Sequence, residues 1–471
     1  MWIPATRSRF KLASEKHAVI LVFAVGVVLR AIPEIVAYPY PIGYDVVNYY
    51  IPVVANFDAH WPTVSNQFPL YVLFLHFVNM ATGLSTHSVV TGVAVAMFGV
   101  LGISLFYLSR WSLKLGIGLS IFLTLFVLFQ MAVLRTAWDL HRDVFALAGL
   151  LFVFCLLGKK DAGHKGIAVI LVLAAVTVAA DRMIGALFCI SSLAYAVMTR
   201  RRDTIATCIL ATGLFLFLLI ASYSYSASDN STNNIEILSK KTPTFYNPQN
   251  LLILFVTVNG LIMVPAAIGF LRMENNLLKV PLLVSLAGSF SWLAFPNISL
   301  LVADRWIIIS GIFLSIFAGY GIAHVVKNLT PRLSATIAGS VLAAFAAIGL
   351  AYAIMPYDKP FVMYGIARGS IEDFVPLTMQ FNSLDIQDND KLLSTITWIN
   401  HNTERDAIIV GEKHWRGFME LYLEDERTYR FSDNPPVLAE ALEKQGENVY
   451  LFRLDDRSPD MFTVIEDPAI K

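Results

Sequence analysis

Apolar positions along this chain do not alternate with polar ones; they gather in blocks. Residues 17–38, 88–109, 115–134, 143–158, 166–180, 183–199, 204–222, 250–271, 280–296, 305–326 and 333–355 are each nearly free of charge. Each block is about 16–22 residues long, the length a helix needs to cross roughly 30 Å of hydrocarbon. The pattern predicts a mainly α, polytopic helical membrane protein with about eleven transmembrane helices. Phe68–Leu84 is apolar as well, but Pro69 opens it and it is short. It is expected to be an interfacial or half-inserted helix on the outer face.

After Met355 the pattern changes. Residues 357–471 are charged and carry no apolar block. Asp406–Gly411, Thr428–Phe431 and Val449–Leu454 read as short strands. Leu392–Asn400 and Pro436–Gln445 read as helices, the second with Asn434 and Pro435 as start signals. The expected organisation is therefore a transmembrane domain over 1–356 and a small C-terminal α/β extramembrane domain over 357–471.

Composition agrees: of 471 residues 56% are hydrophobic and only 15% charged, where a soluble chain would be about 45–50% apolar. Formal net charge is zero, so nothing indicates nucleic acid as a partner. The placement of charge says more. Lys and Arg cluster at the N-terminus, Arg110–Lys114, Lys159–Lys165, Arg200–Arg202, Arg272–Lys279 and Lys327–Arg332. These loops alternate with loops around Asp45, Asp139, Asp181, residues 223–249 and Asp304. The positive-inside rule then predicts a cytoplasmic N-terminus and an extracytoplasmic C-terminal domain in a multi-pass cell-membrane protein. The first block is long and lacks a small-residue cleavage site after it, so it reads as a retained helix. Cys155, Cys189 and Cys208 fall within apolar blocks and read as small buried hydrophobes.

The outer loops carry the candidate chemistry. The first holds Asp45 in a Tyr- and Pro-rich stretch (Tyr38, Tyr40, Tyr44, Tyr49, Tyr50), then Asp58, His60 and Trp61. The second reads Arg135-Thr-Ala-Trp138-Asp139-Leu-His141-Arg142-Asp143. Asp181-Arg182 and Asp304-Arg305-Trp306 mark two more. Ionisable groups at membrane depth are costly and point to a functional interior. A plainer reading of each Asp-Arg pair is a solvated helix-end pair, and interfacial belts are aromatic in any case. Asp139 and Asp143 stand at i, i+4, on one face if the segment is a single helix. Such a pair needs Arg142, His141 or a divalent metal (Mg or Mn) between the carboxylates. Arg30 and Glu34, one turn apart in the first block, read as an intramembrane ion pair. No phosphate-cradling glycine loop, zinc spacing or serine-hydrolase elbow is present.

The run from a basic N-terminus through one span to Gly43-Tyr44-Asp45 and Asn48-Tyr49-Tyr50 resembles the start of GT-C glycosyltransferases. So do Phe68-Pro69-Leu70-Tyr71, the Gly83–Ser85 turn, and an outer loop Trp138-Asp139-Leu140-His141-Arg142-Asp143 similar to that of prokaryotic, mostly archaeal, members. The resemblance covers the layout of about residues 1–330. It implies transfer of a hexosyl or pentosyl group from a polyprenyl-phosphate or polyprenyl-diphosphate carrier, on the extracytoplasmic side, to a glycan, lipid or protein acceptor. It implies Asp45 as general base and Asp139 as a second acid, with Arg305, Arg182 and Arg142 on the donor phosphate. Tyr44, Tyr49, His141 and Asp143 would contact acceptor or sugar, and Asp139 and Asp143 could hold a metal. The chain lacks the WWDYG-type motif of oligosaccharyltransferase catalytic subunits and the Asp-Glu dipeptide of protein O-mannosyltransferases. Two other readings stay open: a transporter or flippase of lipid-linked glycans, and a non-catalytic membrane assembly protein.

Overall fold

The computed structural model describes residues 15–65, 68–158, 164–228, 248–295, 302–354, 388–432, 434–454 and 462–465, with isolated residues 375, 378, 379 and 382. Asn230-Ser231-Thr232 and Asn297-Ile298-Ser299, which match the N-glycosylation acceptor pattern, and the Lys240–Lys241 pair lie outside these residues. The chain forms two compact units. One comprises residues 1–32, 65–71 and 93–354; the other comprises 33–64, 72–92 and 355–471.

The first unit is helical. Its elements include α1 (Glu15–Ala37), α5 (Thr86–Tyr107), α6 (Ile117–Leu128), α7 (Met131–Asp139), α8 (His141–Leu157), α9 (His164–Ala180), α10 (Arg182–Thr199) and α11 (Arg202–Ser228). It continues with α12 (Pro248–Asn259), α13 (Met263–Arg272), α14 (Asn276–Ser289), α15 (Ala303–Lys327) and α16 (Pro331–Ile354). Seven helices among the described residues are long and apolar enough to cross a bilayer; α6 and α7, bent by 61°, make an eighth if they count as one span. The other expected spans correspond to α8, α9 and α14, which are shorter, at 17, 17 and 14 residues. The protein is a polytopic helical membrane protein.

Small residues set the helix spacing where apolar burial gives no drive, because lipid is as apolar as leucine. A Cβ on Gly269 of α13 would lie 1.9 Å from the Phe317 carbonyl oxygen, and one on Gly321 of α15 would lie 2.2 Å from that of Pro265. The two backbones touch. α15 is buried along most of its length, whereas Ile209, Phe217 and Ile220 of α11 and Val264 and Leu271 of α13 project outward, as lipid-facing side chains do. At the bend between α6 and α7, Gln130 donates its side-chain amide to the Phe126 carbonyl (2.8 Å), satisfying a group that the broken helix would strand.

The second unit contains α2 (Ile51–Ala55), α3 (Phe57–Val64) and most of α4 (Leu70–Thr82), together with the C-terminal sheet. At 13 residues, α4 extends only about 20 Å. Strands β1 (Ile408–Gly411), β2 (Thr428–Phe431), β3 (Val449–Leu454) and β4 (Phe462–Ile465) lie in the order β2-β1-β3-β4. β1 pairs in parallel with both neighbours and β4 runs antiparallel to β3. Helices α17 (Asn389–Asn402), α18 (Arg416–Tyr422) and α19 (Pro435–Glu443) complete it. β1 is buried on both faces, so its sequence is a continuous apolar run rather than an alternation. Ile409, Phe452, Trp415 and Phe418 form one core, and Ile408, Val410, Leu442 and Leu451 the other. The three expected strands and two helices are present; β4 was not legible beforehand. Val47, from the stretch that follows α1, belongs to the same core as Ile409 and Trp415.

Candidate active site

In the second unit Asp45 is the residue just before a π-helical turn, Val46–Tyr50. Such turns carry one extra residue per turn and recur at functional positions. The chain reaches Asp45 through Gly43, whose φ of +93° is open to glycine but strained for other residues. The Gly43 N–H donates to Asn382 Oδ1 at 2.7 Å. Asn48 donates through Nδ2 to the Tyr44 carbonyl at 3.2 Å and accepts at Oδ1 from the Gly417 N–H at 3.0 Å. Tyr44 is half-buried and meets the His414 ring edge-on, with centroids 5.8 Å apart. Burial, and then the charge of Asp45, push its phenol above the ordinary range. Tyr49 packs edge-on against Tyr50 at 5.4 Å. Nearby in the chain, burial and then the Arg416 guanidinium hold His60 below the ordinary imidazole range.

In the first unit the Arg135–Asp143 stretch is not one helix. Leu140 leaves the helical region (φ −87°, ψ 54°), ending α7 and starting α8. Asp139 and Asp143 therefore do not share a helix face, and each has its own partner. Arg135 and Asp139 form a buried ion pair within α7. Asp143 lies close to Asp181, the N-cap of α10, and within electrostatic reach of Arg305 and Arg142. Asp181 also accepts from the Ile184 N–H at 2.8 Å. Arg182, next in the chain, is exposed on the first turn of α10. Asp304, at the start of α15, lies within electrostatic reach of Arg305 and Arg135.

Arg30 is fully buried and caps the C-terminal end of α7. Its Nε donates to the Ala137 carbonyl (2.7 Å) and one terminal nitrogen reaches the Trp138 carbonyl and His141 Nε2, both at 3.3 Å. A cation there complements the partial negative charge of the last carbonyls. Trp138 packs against Tyr352, and Tyr71 meets the His141 ring edge-on. Four side chains of this stretch, Arg135, Asp139, His141 and Asp143, are at most 5% exposed.

No family model matches the sequence, and no curated protein matches it. Solved structures do. The structure of ArnT from Cupriavidus metallidurans in the apo state superposes with a TM-score of 0.55 at 14% identity, over 92% of this chain and 89% of that one. The same protein bound to undecaprenyl phosphate gives 0.54 at 13%, with the same coverage. Arabinofuranosyltransferase AftD from Mycobacteria gives 0.54 at 13% over 95% of this chain, which spans about a third (36%) of AftD's length. The chain shares the fold of these two proteins.

Within this fold the expected residues divide between the two units. Asp45, Tyr44 and Tyr49 belong to the second; Asp139, His141, Arg142, Asp143, Arg182 and Arg305 belong to the first. The structure places Asp143 within electrostatic reach of Arg142 and Arg305, and adds Asp181 beside it. Asp181 stood out in the sequence only as an outer-loop acid, and Arg30 only as a partner for Glu34. Its contacts with Ala137, Trp138 and His141 span more than a hundred residues, and no local spacing signals that. As for a metal, Asp139 is engaged by Arg135, and no group of three or more His, Cys, Asp or Glu among the described residues could hold one.

Proposed function

We propose that this protein transfers a sugar from a polyprenyl-phosphate carrier to an acceptor hydroxyl on the extracytoplasmic side of the membrane, with Asp45 as general base. The observation that carries the reading is the cluster of two buried acids, Asp143 and Asp181, with the half-buried Arg305 and Arg142, drawn from three separate helix starts in a GT-C-like fold. Charged groups buried at that cost in a membrane protein mark a substrate path. The complex of ArnT with undecaprenyl phosphate supports a lipid-phosphate ligand for this fold.

In the proposed reaction the Asp45 carboxylate accepts the proton of the acceptor hydroxyl as its oxygen bonds to the anomeric carbon. The bond from that carbon to the phosphate oxygen breaks, and the electron pair leaves with the polyprenyl phosphate. Arg305 and Arg142, with Arg182 as a further cation, hold the phosphate as it gains charge; the guanidinium fork matches its oxygens. Asp139, His141 and Asp143 orient groups around them, and Tyr44 and Tyr49 flank the base. The positive-inside distribution supports the sidedness.

The test is Asp45→Asn in the full-length protein, reconstituted in nanodiscs with radiolabelled polyprenyl-phosphate pentoses and hexoses. Transfer should fall by about 10²–10⁴-fold, while binding of undecaprenyl phosphate and the folded state persist. Transfer by D45N at the wild-type rate removes the assignment.

A further inference from the structure

The loop that bears Asp45 bonds to residues of the C-terminal domain 339 to 369 positions away, and the two share one core. Tyr40 donates its hydroxyl to Asp390 at the start of α17. The Gly43 N–H is held by Asn382. Asn48 ties the Tyr44 carbonyl to the Gly417 N–H. A Cβ on Gly417 would sit 1.9 Å from the Val47 carbonyl oxygen, so only glycine lets α18 approach this closely. Val47 itself is buried against Trp415 and Phe418. Asp45 thus has an anchored residue immediately before it, another two before it, and another two after it. Apart from the Asn48–Tyr44 bond, which lies within the loop, every anchor comes from the C-terminal domain.

We infer that the C-terminal domain is the device that aims Asp45, and that Asn48 and Gly417 are the positioning residues through which it acts. This rests on the reading of Asp45 as the base. A carboxylate on a loop of this kind keeps a productive geometry only if the backbone on both sides is fixed, and a displacement of about 1 Å can lower a rate by about 10²-fold. Asn48 is suited to the role because one planar amide satisfies a carbonyl beside Asp45 and a domain N–H at once. The π-helical turn supplies the register: it carries Asn48 back beneath Tyr44 while Val47 enters the domain core. The domain is then part of the catalytic apparatus, not a separately hinged acceptor platform.

The experiment compares wild type, Asn48→Ala, Gly417→Ala, the double variant and Asp45→Asn, all full length in nanodiscs. Two readouts are taken: hydrogen exchange of peptides covering 40–50, and kcat and KM for the polyprenyl-phosphate sugar used in the transfer assay. Both single variants should raise exchange across 43–50 and leave that of the membrane helices unchanged. They should lower kcat by about 10²-fold with donor KM changed by less than about twofold, since donor binding is not what they disturb. The double variant should be no worse than the weaker single one, because both cut the same tether. If G417A does not fold, N48A alone decides. Unchanged exchange in N48A, or a loosened loop with undiminished kcat, overturns the inference. A loosened loop in N48A together with an active D45N overturns the base assignment instead and leaves the tether standing.

Discussion

Arg135 and Asp139 offer the sharpest test of how this membrane interior is held together. Their side chains are 6% and 2% exposed and lie one turn apart on α7. Arg135→Met keeps the length of the side chain and removes the charge that pairs with the buried Asp139 carboxylate. Breaking one side of a buried pair typically costs about 3–5 kcal/mol, or about 10²–10³-fold and more in the folding equilibrium. The charge of Arg135 also acts on Asp304, but Asp304 keeps Arg305 beside it, so most of the loss should fall on Asp139. The double variant Arg135→Met/Asp139→Leu removes both charges at similar volume and should recover most of the stability, since replacing a buried pair by apolar groups is often neutral or better. The assay is unfolding in mixed micelles by denaturing detergent, followed by tryptophan fluorescence, with Trp138 of the same helix as a reporter. An R135M protein as stable as wild type, or a double variant as unstable as R135M, would refute the reasoning. If the double variant is stable yet inactive, Asp139 serves chemistry beyond its ion pair.

Three further outcomes follow from the described contacts. Gly269→Leu should separate α13 from α15 and destabilise by about 1–3 kcal/mol or more through overpacking, read as a lower midpoint in the same unfolding assay; Ala at an exposed lipid-facing position such as Val264 should have little effect. Asn259 is fully buried at the end of α12 with neither amide atom hydrogen-bonded among the described residues, so Asn259→Leu should stabilise by about 1–3 kcal/mol in that assay, and destabilisation would show that the amide holds a water or substrate group. Tyr40 is pushed up to about 12 from an ordinary 10.0, first by its hydrogen bond to Asp390 and then by burial. The folded phenol keeps its proton longer than the unfolded one, so its contribution is whole below about pH 10 and is lost as pH rises through about 12; the difference between wild-type and Tyr40→Phe tyrosinate absorbance titrations should show one late-titrating group.

The parts legible in the sequence were those governed by local chemistry. Blocks long enough for hydrocarbon, the change of composition after Met355, and the apolar runs of β1 and β3 follow from residue type and spacing alone. The break at Leu140 did not. Trp138 to Asp143 contains no Gly or Pro, and the interruption is fixed instead by partners far away: Arg30 on the carbonyls of Ala137 and Trp138, and Asp181 on Asp143. The membership of the second unit was hidden for the same reason. Nothing near Val47 says that a strand beginning at Ile408 shares its core, because a buried valine looks alike whatever covers it.

The Asn48–Gly417 bond joins residues 369 positions apart, and this imposes an order on biogenesis. At about 5–20 residues per second, the loop bearing Asp45 waits on the order of 20–70 s before its counterpart has been translated. During that interval Val47 and its neighbours are without the surface that will cover them. Assembly around the Asp45 loop is therefore a closing event that follows synthesis of the helical unit, and a ribosome that stalls late would release a protein with that loop still uncovered.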